Sequence, residues 1–360
     1  MAKRPFVSIL SADTITIFRK RETFMKTIKK ILTAGLCAAV ALPFFTGCSS
    51  DGQAGNADAS DSKKLKIGVV QYATHPSLDN CYDGLMQGLK DAGYTEDKVS
   101  FKLENAQGKT EVADQAARNM AASNYDMLIG IATPAAISAY SAARAADIPV
   151  VFCAASDPVT PGLVKSLDKP ENNCTGTTDQ INLEGQLKMI RAFQPQAKKI
   201  GIIYSADEPN SLAQLKKIKE LAPTYGFEIM ASSITKEEQL AQVAADLVSK
   251  VDCLNNFTDN KVVDNLQILL QKANEKKIPV YGSEVTQVEA GCLASESIDY
   301  VALGKATGKL AAEILEGKKA ADTPVVQFSE STPVVNPDVA GALGLSIPAD
   351  YASAEKVASK

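Results

Sequence analysis

Tryptophan is absent from the 360 residues, and histidine occurs once, at His75. With a single imidazole and no Cys-x-x-Cys pair, no zinc centre is expected. The chain also lacks Gly-x-Ser-x-Gly and the Gly-x4-Gly-Lys-Ser/Thr phosphate cradle. No nucleophile and base can be assembled around one histidine, so catalysis is not expected, and neither is a cofactor or a metal. Cysteines are few, and five of the seven lie beyond residue 48. That odd number argues against a disulfide framework. Cys153 and Cys253 sit in apolar runs where a thiol acts as a small hydrophobe, while a bridge between Cys81 and Cys174 stays open. Long apolar runs are scarce too, since none beyond residue 45 approaches the roughly 20 residues of a spanning helix.

What is present begins with an export signal. Lys26, Lys29 and Lys30 precede the apolar stretch Ile31 to Phe45, which runs into Thr46-Gly47-Cys48. A basic start, a short apolar core and small residues make a signal peptide over 25–47. The small residues running into Cys48 resemble the bacterial lipobox, with Phe45 a departure where an aliphatic residue is usual. On that resemblance Cys48 is lipidated and anchors the protein outside the cytoplasm, at the cell membrane or in the periplasm. Simple cleavage and secretion is the alternative. Residues 48–64, rich in Ser, Gly, Ala and Asp, read as a flexible tether. Residues 1–24 precede a complete signal starting at Met25 and read as an upstream extension. Residues 1–47 carry eight Lys/Arg and two Asp/Glu, so removing their +6 turns the formal −4 of the chain into −10. Nucleic acid is therefore not an expected partner.

The remaining body, about 300 residues, exceeds one core of usual size. Apolar runs at Lys66–Gln71, Val99–Leu103, Met127–Ala132 and Ile148–Cys153 alternate with amphipathic stretches at 78–92, 111–123 and 135–146. Such alternation predicts a parallel sheet covered on both faces. The series then repeats. Lys199–Tyr204 echoes Lys66–Gln71 at an offset of 133, Asp252–Asp259 echoes Asp126–Thr133 at 126, and Ile278–Gly282 echoes Ile148–Phe152 at 130. The expectation is an α/β protein of two Rossmann-like, doubly wound lobes joined by a three-segment hinge. Lobe 1 is expected over 65–178 plus 293–325, and lobe 2 over 179–292 plus 326–360. Two lobes on a hinge can close around a ligand.

At Ile67-Gly-Val-Val-Gln-Tyr-Ala-Thr-His-Pro76, Ile131-Ala-Thr-Pro-Ala135, Pro149-Val-Val-Phe-Cys-Ala-Ala-Ser-Asp-Pro158 and Ile298-Asp-Tyr300 the chain resembles a known family. It is similar there to the substrate-binding proteins of ABC transporters with the periplasmic binding protein type I fold, in the group of tryptophan- and tyrosine-type binding lipoproteins. The likeness implies a monomeric, non-enzymatic solute binder that serves an ABC permease and takes an aromatic amino acid. A sensor of the same fold that presents its closed form to a receptor is the alternative, as is a sugar, nucleoside or branched-chain amino acid as ligand. A repressor with this core would carry an N-terminal helix-turn-helix where this chain carries an export signal.

Open α/β sheets bind ligands beyond the carboxyl ends of their strands, where helix N-termini offer free N–H groups. In lobe 1 those turns hold Tyr72, His75 and Leu78, then Thr133, Pro134 and Ala135, then Ala155, Ser156 and Asp157. In lobe 2 they hold Ser205, Asn210 and Ser211, then Thr258, Asp259 and Asn260, then Ser283 and Glu284. Thr133 is expected as N-cap with Pro134 at the first helical position, leaving amides for a carboxylate. Ser156 and Asp157 would complete a site for a zwitterion, as the corresponding turns do in related amino-acid binders. Asp157 serves equally well as a cap of its own turn. Asp259 or Glu284 could meet the ammonium from the facing lobe. Tyr72, Pro76, Leu78 and Phe257 are the candidate walls for an aromatic ring.

Overall fold

Strands form where the apolar runs fall, and helices fill the amphipathic stretches between them. The computed structural model describes residues 64–359. The proposed extension, signal peptide and Cys48 lie outside the described residues, as does nearly all of the tether.

The first half folds as β1 (Leu65–Gln71), α1 (Pro76–Asp91), β2 (Val99–Asn105), α2 (Thr110–Ala122), β3 (Met127–Ile131), α3 (Thr133–Ala143), β4 (Val150–Cys153) and β5 (Cys174–Asp179). The second continues with α4 (Leu183–Phe193), β6 (Lys199–Ser205), α5 (Pro209–Leu221), β7 (Glu228–Ile234), α6 (Leu240–Leu247), β8 (Cys253–Asn255), α7 (Asn260–Asp264), α8 (Leu266–Glu275), β9 (Val280–Tyr281), α9 (Val285–Glu289) and β10 (Ala294–Ser297). The tail adds α10 (Tyr300–Leu315), β11 (Val326–Phe328), β12 (Thr332–Val335), α11 (Pro337–Leu343) and β13 (Glu355–Lys356).

One sheet runs β11-β5-β4-β3-β1-β2 and the other β13-β12-β10-β9-β8-β6-β7. The segment β5-β4-β3-β1-β2 of the first has the same order as β10-β9-β8-β6-β7 of the second. Pairing is parallel throughout these segments, and β12 joins β10 antiparallel. The repeat read from three strand offsets is thus a repeat of sheet topology. Strand β3 shows why: all five of its residues are buried, as a strand covered on both faces requires.

The lobe boundaries fall a few residues later than the sequence suggested. Residues 294–297 were expected in lobe 1, yet β10 pairs with β9 and β12 in the second sheet. Residues 326–328 were expected in lobe 2, yet β11 pairs with β5 in the first. The reason is that each crossing follows the strand that completes a sheet. Between those crossings, α10 lies against α1. Gly84 and Gly88 meet Gly304 and Gly308 there, and a Cβ on Gly84 would come within 2.2 Å of the Val301 carbonyl oxygen. Only glycine permits so close a backbone approach. All five described cysteines are buried and free, so Cys81 and Cys174 do not pair.

Candidate functional site

The carboxyl ends of both sheets face one another across a cleft. The first sheet's order sets Asp179 after β5, Ser156 beyond β4, Thr133 after β3 and His75 beyond β1, in that sequence along one edge. At about 4.8 Å per strand, Asp179 and His75 start from strands roughly 14 Å apart. Lobe 2 covers this row with the first turns of α5 and α7. The space between is a narrow cavity of about 20 Å³ lined from both lobes. The lobes are therefore nearly closed on the site.

Side-chain hydrogen bonds bridge them. His75 Nε2 lies 3.2 Å from Asn260 Oδ1, Gln214 Nε2 lies 3.4 Å from Ser156 Oγ, and Ser77 hydrogen-bonds Glu284.

The lobe 1 face offers an acid and two helix starts. Asp179 is buried and accepts hydrogen bonds from the Tyr300 hydroxyl at 2.8 Å and the Ser156 hydroxyl at 2.9 Å. Burial raises its carboxyl to about 6, against the pull of those two donors. Helices α1 and α3 begin at the cavity without a side-chain cap. Thr133 is not the N-cap that the sequence suggested. Ala132 takes that position at φ 75°, ψ 154°, and Thr133 lies inside the helix with its hydroxyl buried and unpartnered. Ala132 and Ala154 both line the cavity at positive φ. Such conformations cost about 1–3 kcal/mol each and gather at ligand clamps.

The lobe 2 carboxylates are engaged otherwise. Asp259 caps α7 through Val262 N and also accepts from Ser205 N, Ser205 Oγ and Ser211 Oγ. Glu284 caps α9, accepting from Thr286 and Gln287, and burial raises its carboxyl. Neither lines the cavity. In lobe 1, Asp157 accepts from Val159 N, Thr160 N and Thr160 Oγ1 and so caps its own turn. The three acids suggested by sequence are thus spent on backbone caps, and each sits where a strand end meets a helix or turn whose orphan amides need an acceptor.

Of the other suggested residues, His75, Leu78, Thr133, Ser156, Asn210 and Thr258 line the cavity. Tyr72 does not, since its hydroxyl meets Thr110 at 3.4 Å beneath α2. Pro134 and Ala135 are buried in the first turn of α3, where Ala135 crowds Gly130. Ala155 is buried with its N–H on the Thr177 carbonyl, Ser205 is held by Asp259, and Ser283 donates to the Asn256 carbonyl. Phe257 is buried in the lobe 2 core. Sequence reasoning missed Asp179, Tyr300 and Gln287, and it placed Asn260 in a cleft turn without giving it a role. Asp179 ends a strand, Cys174–Asp179, whose Thr-rich sequence lacks the apolar signature used to find strands; Tyr300 stood in a matched motif without a role.

Behind the lobe 2 surface lies Glu208, fully buried. It accepts from Asn210 Nδ2 at 3.1 Å, Asn260 Nδ2 at 2.6 Å, Asn260 N at 3.0 Å and Lys261 N at 3.2 Å. Burial, then the neighbouring Asp259, push its carboxyl up to about 8. Burial pulls His75 down to about 4, leaving a neutral ring.

The model of the family described as "ABC transporter substrate binding protein" matches residues 66–357. A tyrosine-binding protein of Clostridioides difficile is 38% identical over 322 residues, covering 88% of this chain and 93% of that protein. A Streptococcus pneumonia ABC domain in complex with L-Trp superposes with TM-score 0.80 at 36% identity, over 82% of this chain and all of that one. The ligand-free, open structure of a Clostridium difficile substrate-binding protein with adhesive properties has the same identity and coverage but a TM-score of 0.63. At equal sequence distance the chain fits the ligand-bound relative better than the open one, in keeping with its narrow cavity.

Proposed function

Because this chain belongs to the ABC transporter substrate-binding protein family, we propose that its interlobe cavity holds a free aromatic amino acid in zwitterionic form. It is a solute-binding protein of the type I fold, and proteins of its family work outside the cytoplasm alongside a membrane transporter. The observation that carries the ligand class is the pairing of a buried acid with an uncapped helix start on one cavity wall. Asp179 has no cation partner in the cavity, and a ligand ammonium would supply one. The start of α3, with the unpartnered Thr133 hydroxyl, suits a carboxylate by its free N–H groups and its dipole. Leu78 and Val263 offer apolar surface to a ring, and the relatives that bind tyrosine and tryptophan favour an aromatic side chain.

In this reading the monomer binds its ligand by lobe closure and hands it unchanged to an ABC permease. The test is thermal unfolding of the purified protein with L-tyrosine, L-tryptophan, sugars and nucleosides. An aromatic amino acid at 100 times its Kd should stabilise by about 2.7 kcal/mol, a rise of several degrees. A rise with a sugar or nucleoside and none with aromatic amino acids refutes it. The sequence at 31–48 supports a lipid anchor at Cys48. Cells fed labelled palmitate should label the protein but not its Cys48→Ala variant, and unlabelled wild type released to the medium would contradict anchoring.

A further inference from the structure

Three buried polar atoms at the cavity have no hydrogen-bond partner: Thr133 Oγ1, His75 Nδ1 and Asn210 Oδ1. Thr133 lies beside the proposed carboxylate site. The other two share a different chemistry, and Glu208 sets it. Glu208 Oε2 already accepts from the Asn260 backbone N–H at 3.0 Å, so the Asn210 and Asn260 atoms that face the same oxygen at 3.1 and 2.6 Å are their amide nitrogens. Asn210 Nδ2 is further occupied by the Thr258 carbonyl at 2.9 Å. Both side chains therefore turn their oxygens away from Glu208. Asn260 Oδ1 meets His75 Nε2, which must carry the ring's proton because the oxygen cannot donate. The neutral ring then leaves Nδ1 as an acceptor. Asn210 Oδ1 is an acceptor by the same logic. Both residues are more than nine-tenths buried, so each acceptor left unpaired by a ligand carries a desolvation cost.

We infer that the His75–Asn210 end of the cavity is a specificity site that selects ligands whose side chain ends in a hydrogen-bond donor, a phenol O–H or an indole N–H, over phenylalanine. This rests on the aromatic amino acid reading above. The ammonium is not the donor concerned, because two neutral acceptors cannot offset a buried charge as Asp179 can. Strand order sets the two ends apart along the sheet edge, and both line the one cavity. Glu208 acts as a positioning residue, touching no ligand but fixing which way two amides face.

Calorimetric titration of the purified protein with L-tyrosine, L-tryptophan, L-phenylalanine and O-methyl-L-tyrosine tests this. The methyl ether keeps the ring and the oxygen but loses the donor. Tyrosine or tryptophan should bind at least about 100-fold more tightly than phenylalanine, and tyrosine about 100-fold more tightly than its methyl ether, as sites built to hydrogen-bond a ligand hydroxyl do. In Asn210→Leu the preference for tyrosine over phenylalanine should fall below about 10-fold, and thermal unfolding of the ligand-free variant reports separately that it is folded; a preference kept at about 100-fold in the folded variant overturns the inference. Glu208→Gln should erode the ratio less than Asn210→Leu, because the Thr258 carbonyl still holds Asn210 Nδ2 and only Asn260 loses the group that dictates its facing. Wild-type binding of phenylalanine within 10-fold of both tyrosine and tryptophan overturns the inference and leaves the aromatic reading standing. Absence of binding by all four overturns both.

Discussion

The two lobes share a topology and differ in how they use charge at the cleft. In lobe 1 the starts of α1 and α3 lack side-chain caps, and Asp179, at the end of β5, reaches the cavity with only hydroxyl partners. In lobe 2 Asp259 caps α7, the counterpart of α3, and Glu284 caps α9 after β9, while α5, the counterpart of α1, starts uncapped like it. At the paired starts of α3 and α7, lobe 1 thus leaves a helix dipole unanswered beside the acid Asp179, while lobe 2 answers its own with Asp259 and presents neutral amides. The difference suggests a division of labour: lobe 1 anchors the zwitterion, and lobe 2 closes over it and reads its side chain. An internal repeat supplies two similar walls, and capping decides which becomes the anchor.

Substitution of one acid on each side breaks or sharpens this contrast. Asp179→Asn should weaken amino acid binding at least about 100-fold, since the lost partner of a buried charge is worth about 2–5 kcal/mol. Its ligand-free melting temperature should hold or rise, because an amide can accept from Tyr300 or Ser156 without the cost of a buried charge. Asp259→Ala should do the reverse. Four donors from Ser205, Ser211 and Val262 lose their acceptor in the interior, costing about 3 kcal/mol of stability, while the folded fraction keeps its affinity within a few-fold. Calorimetric titration and thermal unfolding of both variants decide the matter. If Asp259→Ala lost binding and Asp179→Asn kept it, the assignment of the anchor to lobe 1 would be wrong.

The asymmetry was hidden in the sequence although the repeat was not. Apolar strands such as Met127–Ile131 and their echoes give the topology, because burial on both faces leaves a continuous hydrophobic signature. They also locate the strand ends, and so many of the cavity residues. Acids at those ends look alike in sequence. Whether one caps a helix or faces a ligand depends on a rotamer and on which orphan amides lie within reach, so Asp157, Asp259 and Glu284 stood out while Asp179 did not. The Glu208 network is less legible still: it joins Asn210 and Asn260, 50 positions apart, through an acid that reads as part of a turn.

The pH dependence of binding gives the smallest and most discriminating effect. Asp179 must be ionised to hold an ammonium, and in the ligand-free protein its carboxyl titrates near 6, raised from 3.8 by burial. At pH 5, one unit below that value, about nine-tenths of it is protonated, so affinity should fall about 10-fold from its value at pH 7. Stability of the ligand-free form moves the opposite way. A group whose folded value is raised binds its proton more tightly when folded, so its contribution is complete below about 3.8 and is lost as pH rises through 6. His75, pulled down to about 4, stays neutral between pH 5 and 7, and Glu208 titrates near 8. Both survive in Asp179→Asn, whose residual affinity should therefore be flat from pH 7 to 5. A 10-fold fall persisting in that variant would move the titrating anchor elsewhere and with it the basis for ranking lobe 1 as the side that holds the charge.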